Sequence, residues 1–216
     1  MRFKRFLDEA VIKPDLSFIK ELKSKILDLT KAKSKIWILD SLTKIFANWF
    51  ISFKVTDKQS RNDILASAGI VSADIIPKEP FRITIYCNDM SVFDDREDVE
   101  DYWFPALYEI LGHELIHRQQ LIRSKIQRKV NFSSNGNFDF KKYYSDKQEI
   151  MAFAHETMIY MLSMGLGKEE MLKAISSGLS KIDFINLQEF LEYFSSNTPE
   201  YKLFNKYLYQ YIQTLN

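Results

Sequence analysis

His113-Glu114-Leu115-Ile116-His117 is the stretch whose residue types and spacing point to chemistry. It is an H-E-x-x-H element: two imidazoles four residues apart, with a carboxylate beside the first. In an α-helix, about 3.6 residues per turn and a rise of about 1.5 Å per residue put positions i and i+4 one turn apart on one face. His113 and His117 can then bind one metal ion together. Glu114 lies about 100° round the helix, outside the direction the histidines share but well placed to act on a water activated by the ion.

A bare H-E-x-x-H also arises by chance, as a structural histidine pair on a helix. The surroundings argue for a site. The chain has only three histidines, and two of them are in this element. The helical pattern runs from about Tyr102 to about Lys129, with Leu107, Ile110, Leu111, Leu115, Leu121 and Ile122 as its expected buried stripe. Pro105 is followed by no further proline until Pro199, and Gly112 is the only glycine in the helix.

Two histidines do not complete a catalytic zinc site, which generally uses three protein ligands and one water. A third donor is expected downstream, on a segment that folds back. Glu149, His155 and Glu156 lie together in QEIMAFAHE, and the loop 130–144 is long enough to reverse the chain. Small residues at Ala152 and Ala154 favour close approach of that helix to another. Each candidate has a second reading. Glu149 stands three residues after Asp146, the spacing of a capping box. His155 is the alternative third ligand; it lies on a different face from Glu149, so the two would not reach one ion together, and its other readings are a group that orients a ligand, a donor to an oxyanion, or a partly buried structural histidine. Glu156 shares the face of Glu149 and could hydrogen-bond the outer nitrogen of a ligand histidine. Tyr143 and Tyr144 are further candidates for the oxyanion.

Composition narrows the class. Hydrophobic residues at 46% and charged residues at 27% describe a soluble globular chain. Thirty basic residues balance 29 acidic ones, so no global field draws in nucleic acid or an anionic membrane, and neither is expected as a partner. A single cysteine, Cys87, excludes an internal disulfide and a cysteine-based zinc cluster, and fits a reducing, cytoplasmic setting. Met1 to Ala10 has neither the apolar core nor the cleavage site of a secretory signal. No apolar run is long enough to span a bilayer.

The elements that must position the site are mostly helical. Residues 14–30 and a following stretch through Leu39, Leu42, Ile45, Phe46 and Trp49 read as amphipathic helices, with Trp37, Trp49 and Phe50 as core. Phe50 to Thr56 alternates like a strand, with Ile51, Phe53 and Val55 inward. Asn62 to Gly69 reads as a short helix closed by its glycine. Phe81 to Cys87 is the clearest strand. The acidic run Asp94 to Asp101 suits a helix N-terminus rather than a second metal site. Asn131 to Asn137 is a loop with a turn at Asn135-Gly136. Helices follow from Ser145 or Asp146 to about Met164, ending at Gly165, then over Lys168–Ser177, about Phe184–Phe194, and after Thr198-Pro199. The last has a stripe of Phe204, Leu208 and Tyr211 as core.

HELIHRQQ, followed after a loop by YYSDKQEIMAFAHE, resembles zinc metallopeptidases of the glutamate-zincin type found in phage and bacterial genomes. The resemblance covers about residues 103–160. It implies zinc as cofactor, His113, His117 and Glu149 as its ligands, and Glu114 as the general base that hydrolyses a peptide or protein substrate. It also implies an extended substrate pairing with an edge strand, and Phe81–Cys87 precedes the motif helix in the order required. The expectation is therefore an α+β, mainly helical fold: one zincin-like domain over 1–216, with a small sheet packed beside the HExxH helix. An N-terminal helical arm would occupy 1–50, the sheet and metal-site helices 51–165, and C-terminal helices 166–216. Host cytoplasm or a virion would be its place if phage-encoded. The rival expectation is a non-catalytic helical structural or assembly protein with a vestigial or structural metal site.

Overall fold

The computed structural model describes residues 17–30, 34–59, 65, 68–76, 81–124, 140–182 and 184–215. Residues 131–137, most of the helix expected at 62–69, and the helix start at 14–16 lie outside them. The fold is α+β and mainly helical, about 70% helix, with a small three-stranded mixed sheet. The described residues divide into two compact units, one from Ser17 to Ser124 and the other from Phe140 to Leu215.

The first unit opens with α1 (Ser17–Leu27) and α2 (Lys35–Ile45). Phe18, Ile19, Leu22, Ile26 and Leu27 bury one side of α1. Ser34 caps α2 by accepting from the Trp37 amide. After a 3-10 turn at Ala47–Trp49, Phe50 adopts a left-handed conformation, φ 57°, which turns the chain into β1 (Ile51–Val55). β2 (Ile70–Ile76) and β3 (Arg82–Cys87) complete the sheet in the order β1-β3-β2, with β1 parallel and β2 antiparallel to β3. Ile51 pairs with Ile83 and Phe53 with Ile85 on one face. On the other face the partners Ser52 and Thr84 are both buried and share a hydrogen bond of 3.2 Å, which removes the cost of an unpaired buried hydroxyl.

Several expectations are corrected by the packing. Phe81–Cys87 is the central strand, paired on both sides, so it offers no free edge to a substrate. β1 is buried at three successive residues instead of alternating, and Val55 is exposed. Trp37 is 52% exposed and Phe50 is also on the surface, whereas Trp49 stacks on Phe18 with ring centroids 4.7 Å apart.

The motif helix begins in stages. Asp95 caps a turn at Arg96–Asp98 by accepting from the Glu97 amide at 2.7 Å, so part of the acidic run serves a helix N-terminus as its composition implies. A π-helical turn at Val99–Trp103 then leads into α3 (Phe104–Ser124). Trp103 is fully buried against Phe93, Phe104 and Phe53. α3 packs on β2, so the small sheet does lie beside the helix that carries the histidines. Its stripe holds at Leu107, Ile110, Leu111 and Leu115, joined by Ile116; Ile122 is 56% exposed, beyond the part of the helix that the core covers.

The second unit comprises α4 (Phe140–Ser145), α5 (Lys147–Ser163), α6 (Lys168–Ser177), α7 (Ile185–Tyr193) and α8 (Pro199–Gln213). Gly165, with φ 78°, ends α5; Thr198 caps α8 with Pro199 in its first turn. α8 packs along α5, burying Phe204, Leu208 and Tyr211. Phe153 of α5 sits among Tyr144, Phe184, Phe190 and Phe204 at 5.2–6.2 Å between ring centroids.

Gly69 gives the fold a sharp test. It has φ 68°, its carbonyl accepts from the Asn88 amide, and a Cβ there would collide with the Asp89 carbonyl. Gly69→Ala therefore combines positive-φ strain with a backbone clash at the entry to β2. It is expected to destabilise the protein by more than about 3 kcal/mol, read as a lower denaturant midpoint.

Candidate metal centre

α3 holds His113 and His117 one turn apart, as the spacing requires. Their Nε2 atoms face each other at 2.9 Å. His117 is only 1% exposed, and its Nδ1 lies 2.9 Å from Oε1 of Gln120. An amide oxygen has no proton to give, so His117 donates from Nδ1 and turns the lone pair of Nε2 towards His113. Gln120 was not singled out in the sequence; its signal was the i+3 spacing from His117, which brings the two side chains together on one helix. Glu109, also buried, stands one turn before His113.

Glu114 is partly buried beside the pair. Among the described residues no hydrogen bond or ion pair engages its carboxylate.

Glu149 lies in the first turn of α5 and is 3% exposed. The capping-box reading does not describe it. Asp146 caps α5 through the Gln148 amide at 2.7 Å, and the Asp146 amide donates to the Tyr143 carbonyl at 3.1 Å. One donor atom each of His113, His117 and Glu149 lies within 4.8 Å of the others, a group able to hold a metal ion. His155, also buried, is not in that group; its ring stands edge-on to Tyr211 of α8, centroids 4.9 Å apart. Glu156 accepts from Nδ2 of Asn186 at 2.8 Å. Tyr144 donates to Glu189 at 3.3 Å, and burial, reinforced by Glu189, pushes its pKa far up, so its hydroxyl keeps its proton. Half-buried Tyr143 packs edge-on against Tyr144.

No protein-family model, curated protein or solved structure matches the chain.

Two imidazoles and a carboxylate form the His₂Glu ligand set of catalytic zinc sites. Two nitrogens at about 2.0–2.1 Å from one zinc and at a tetrahedral angle stand about 3.3 Å apart. The 2.9 Å between the Nε2 atoms is close to that separation. Without an ion, the same distance is a hydrogen bond donated by His113 from Nε2, since the lone pair of His117 accepts; ion binding requires that proton to leave. The donor set fits zinc. No helix among the described residues is long and apolar enough to cross a membrane.

Proposed function

We propose that this chain is a zinc-dependent peptidase of the glutamate-zincin type. The reading rests on one observation above all: His113, His117 and Glu149 bring their donor atoms together, next to a glutamate that no described residue engages.

In this reading Nε2 of His113, Nε2 of His117 and the Glu149 carboxylate hold the ion, and Gln120 fixes the ring of His117. A bound zinc ion supplies Lewis-acid polarisation of the scissile carbonyl and a lowered pKa for water. Glu114 takes the proton of the attacking water and passes it to the leaving amine, which departs neutral. A partner to either Glu114 oxygen would weaken it as a base, so its lack of one among the described residues is what the role requires. The buried sulfur of Cys87, its thiol pKa raised to about 12 by desolvation, is inert and compatible with a reducing compartment such as a host cytoplasm.

Elemental analysis of the purified chain, with peptide hydrolysis measured beside it, tests the reading. One zinc per chain is expected, with cleavage of a quenched fluorescent peptide library that a chelator abolishes and added zinc restores. A chain that takes up no metal from zinc-supplemented buffer would instead be a helical structural or assembly protein whose histidine pair serves the fold.

A further inference from the structure

The peptidase reading leaves Arg118, beside the histidines in the chain, without a role. Arg118 directly follows His117 and stands one turn after Glu114 on the same side of α3. Glutamate at i with a basic residue at i+4 is the favourable orientation for a helical ion pair. Yet the two do not pair. Nη1 of Arg118 donates instead to the Trp49 carbonyl at 2.7 Å, which ties α3 to the turn ahead of β1. The guanidinium is half-buried, and no carboxylate among the described residues neutralises it. Burial pulls its pKa below the ordinary value without discharging it.

Keeping a partly desolvated cation without an anion is unfavourable, so a structural role alone explains the side chain poorly. A guanidinium carries five N–H donors in a planar fork, and the Trp49 carbonyl is the one described acceptor. A fork anchored on one side is preorganised for a planar anion with two oxygens. The same anchor draws Arg118 away from Glu114 and leaves that carboxylate to act as a base.

We propose that Arg118 is a specificity-determining residue that binds a carboxylate of the substrate, selecting peptides that carry one near the scissile bond. The proposal rests on the peptidase reading for its substrate class. An acidic side chain and a free C-terminus present the same two oxygens, and the experiment separates them.

The zinc-loaded protein is assayed on a quenched peptide library in matched pairs. One set exchanges Glu for Gln at successive positions, and the other exchanges a C-terminal acid for its amide. The carboxylate member of one set is expected to be cleaved about ten- to a hundredfold faster in kcat/KM, the scale of one hydrogen-bonded charge. Preference within the Glu/Gln pairs assigns a side chain; preference within the acid/amide pairs assigns the C-terminus. Arg118→Gln should abolish the ratio while changing the rate on the neutral member by less than about threefold, and Arg118→Lys, which keeps the charge but not the fork, should retain part of it. Equal slowing of both members would overturn the proposal and mark Arg118 as a tether to Trp49, as would a wild type without preference.

A readout independent of turnover accompanies this. In metal-free protein labelled with ¹⁵N-arginine, the Arg118 Nε–H signal should shift with the carboxylate peptide and not with its amide partner. A signal that neither peptide moves overturns the proposal. If that signal shifts but no library member is cleaved, the peptidase reading fails and the specificity role fails with it.

Discussion

Glu114→Gln is expected to retain zinc at the wild-type stoichiometry and to lose peptide hydrolysis by at least about 10²–10⁴-fold, the usual contribution of a positioned general base. The amide is isosteric but cannot accept the proton of the attacking water. Glu114 is not a member of the donor group, and no described residue depends on its carboxylate, so the fold and the metal should both survive. Parallel measurements of zinc content, melting temperature and single-turnover rate on a peptide that the wild type cleaves check it. Substantial hydrolysis by this variant would show that the base is another residue.

Glu149→Ala should weaken zinc binding by more than about 100-fold, because in the proposed site it removes one of three ligands, and even outer partners of ligands cost 10–100-fold when lost. His155→Ala should change zinc affinity by only a few-fold. Its own effect should be on stability, about 1–3 kcal/mol, because its buried ring packs against Tyr211 and its loss opens a space between α5 and α8. Competitive titration of zinc against a chromophoric chelator, with a thermal melt of each variant, separates the two effects. The opposite ranking would make the ligand set three histidines. If Glu149→Ala lowered the melting temperature but left zinc affinity intact, the carboxylate would serve only the fold.

The elements legible in the sequence are those set by near neighbours. The histidine pair follows from i to i+4 on one helix, which needs no tertiary contact beyond keeping that helix folded. The helix boundaries at Asp146, Gly165 and Thr198-Pro199 were readable for the same reason, since caps and left-handed stops act within a turn of the residues that make them. The β3 strand was readable from β-branched and aromatic residues between Pro80 and Asn88. β2 gave a weaker signal: Val71, Ala73 and Ile75 alternate with Ser72 and Asp74, but aspartate and alanine are depleted in strands.

Local rules did not reach the order of the strands or the choice of surface. Nothing in Phe81–Cys87 states that it will be central, because neighbour order depends on where β1 and β2 come to rest. Trp37, Phe50 and Ile122 look like core by type, but a residue is buried only if another element covers it.

The third donor shows the division most clearly. The sequence by itself determined that His113 and His117 share a face, that Glu114 stands beside them, and that Glu149, His155 and Glu156 lie on one later helix. Which of those three joins the pair was decided by tertiary structure. α5 is buried continuously from Glu149 to Met158, so it has no apolar stripe whose phase could be read. A helix covered on all sides carries no sequence record of which face meets which neighbour; only the packed chain turns Glu149 into the donor group and His155 onto Tyr211.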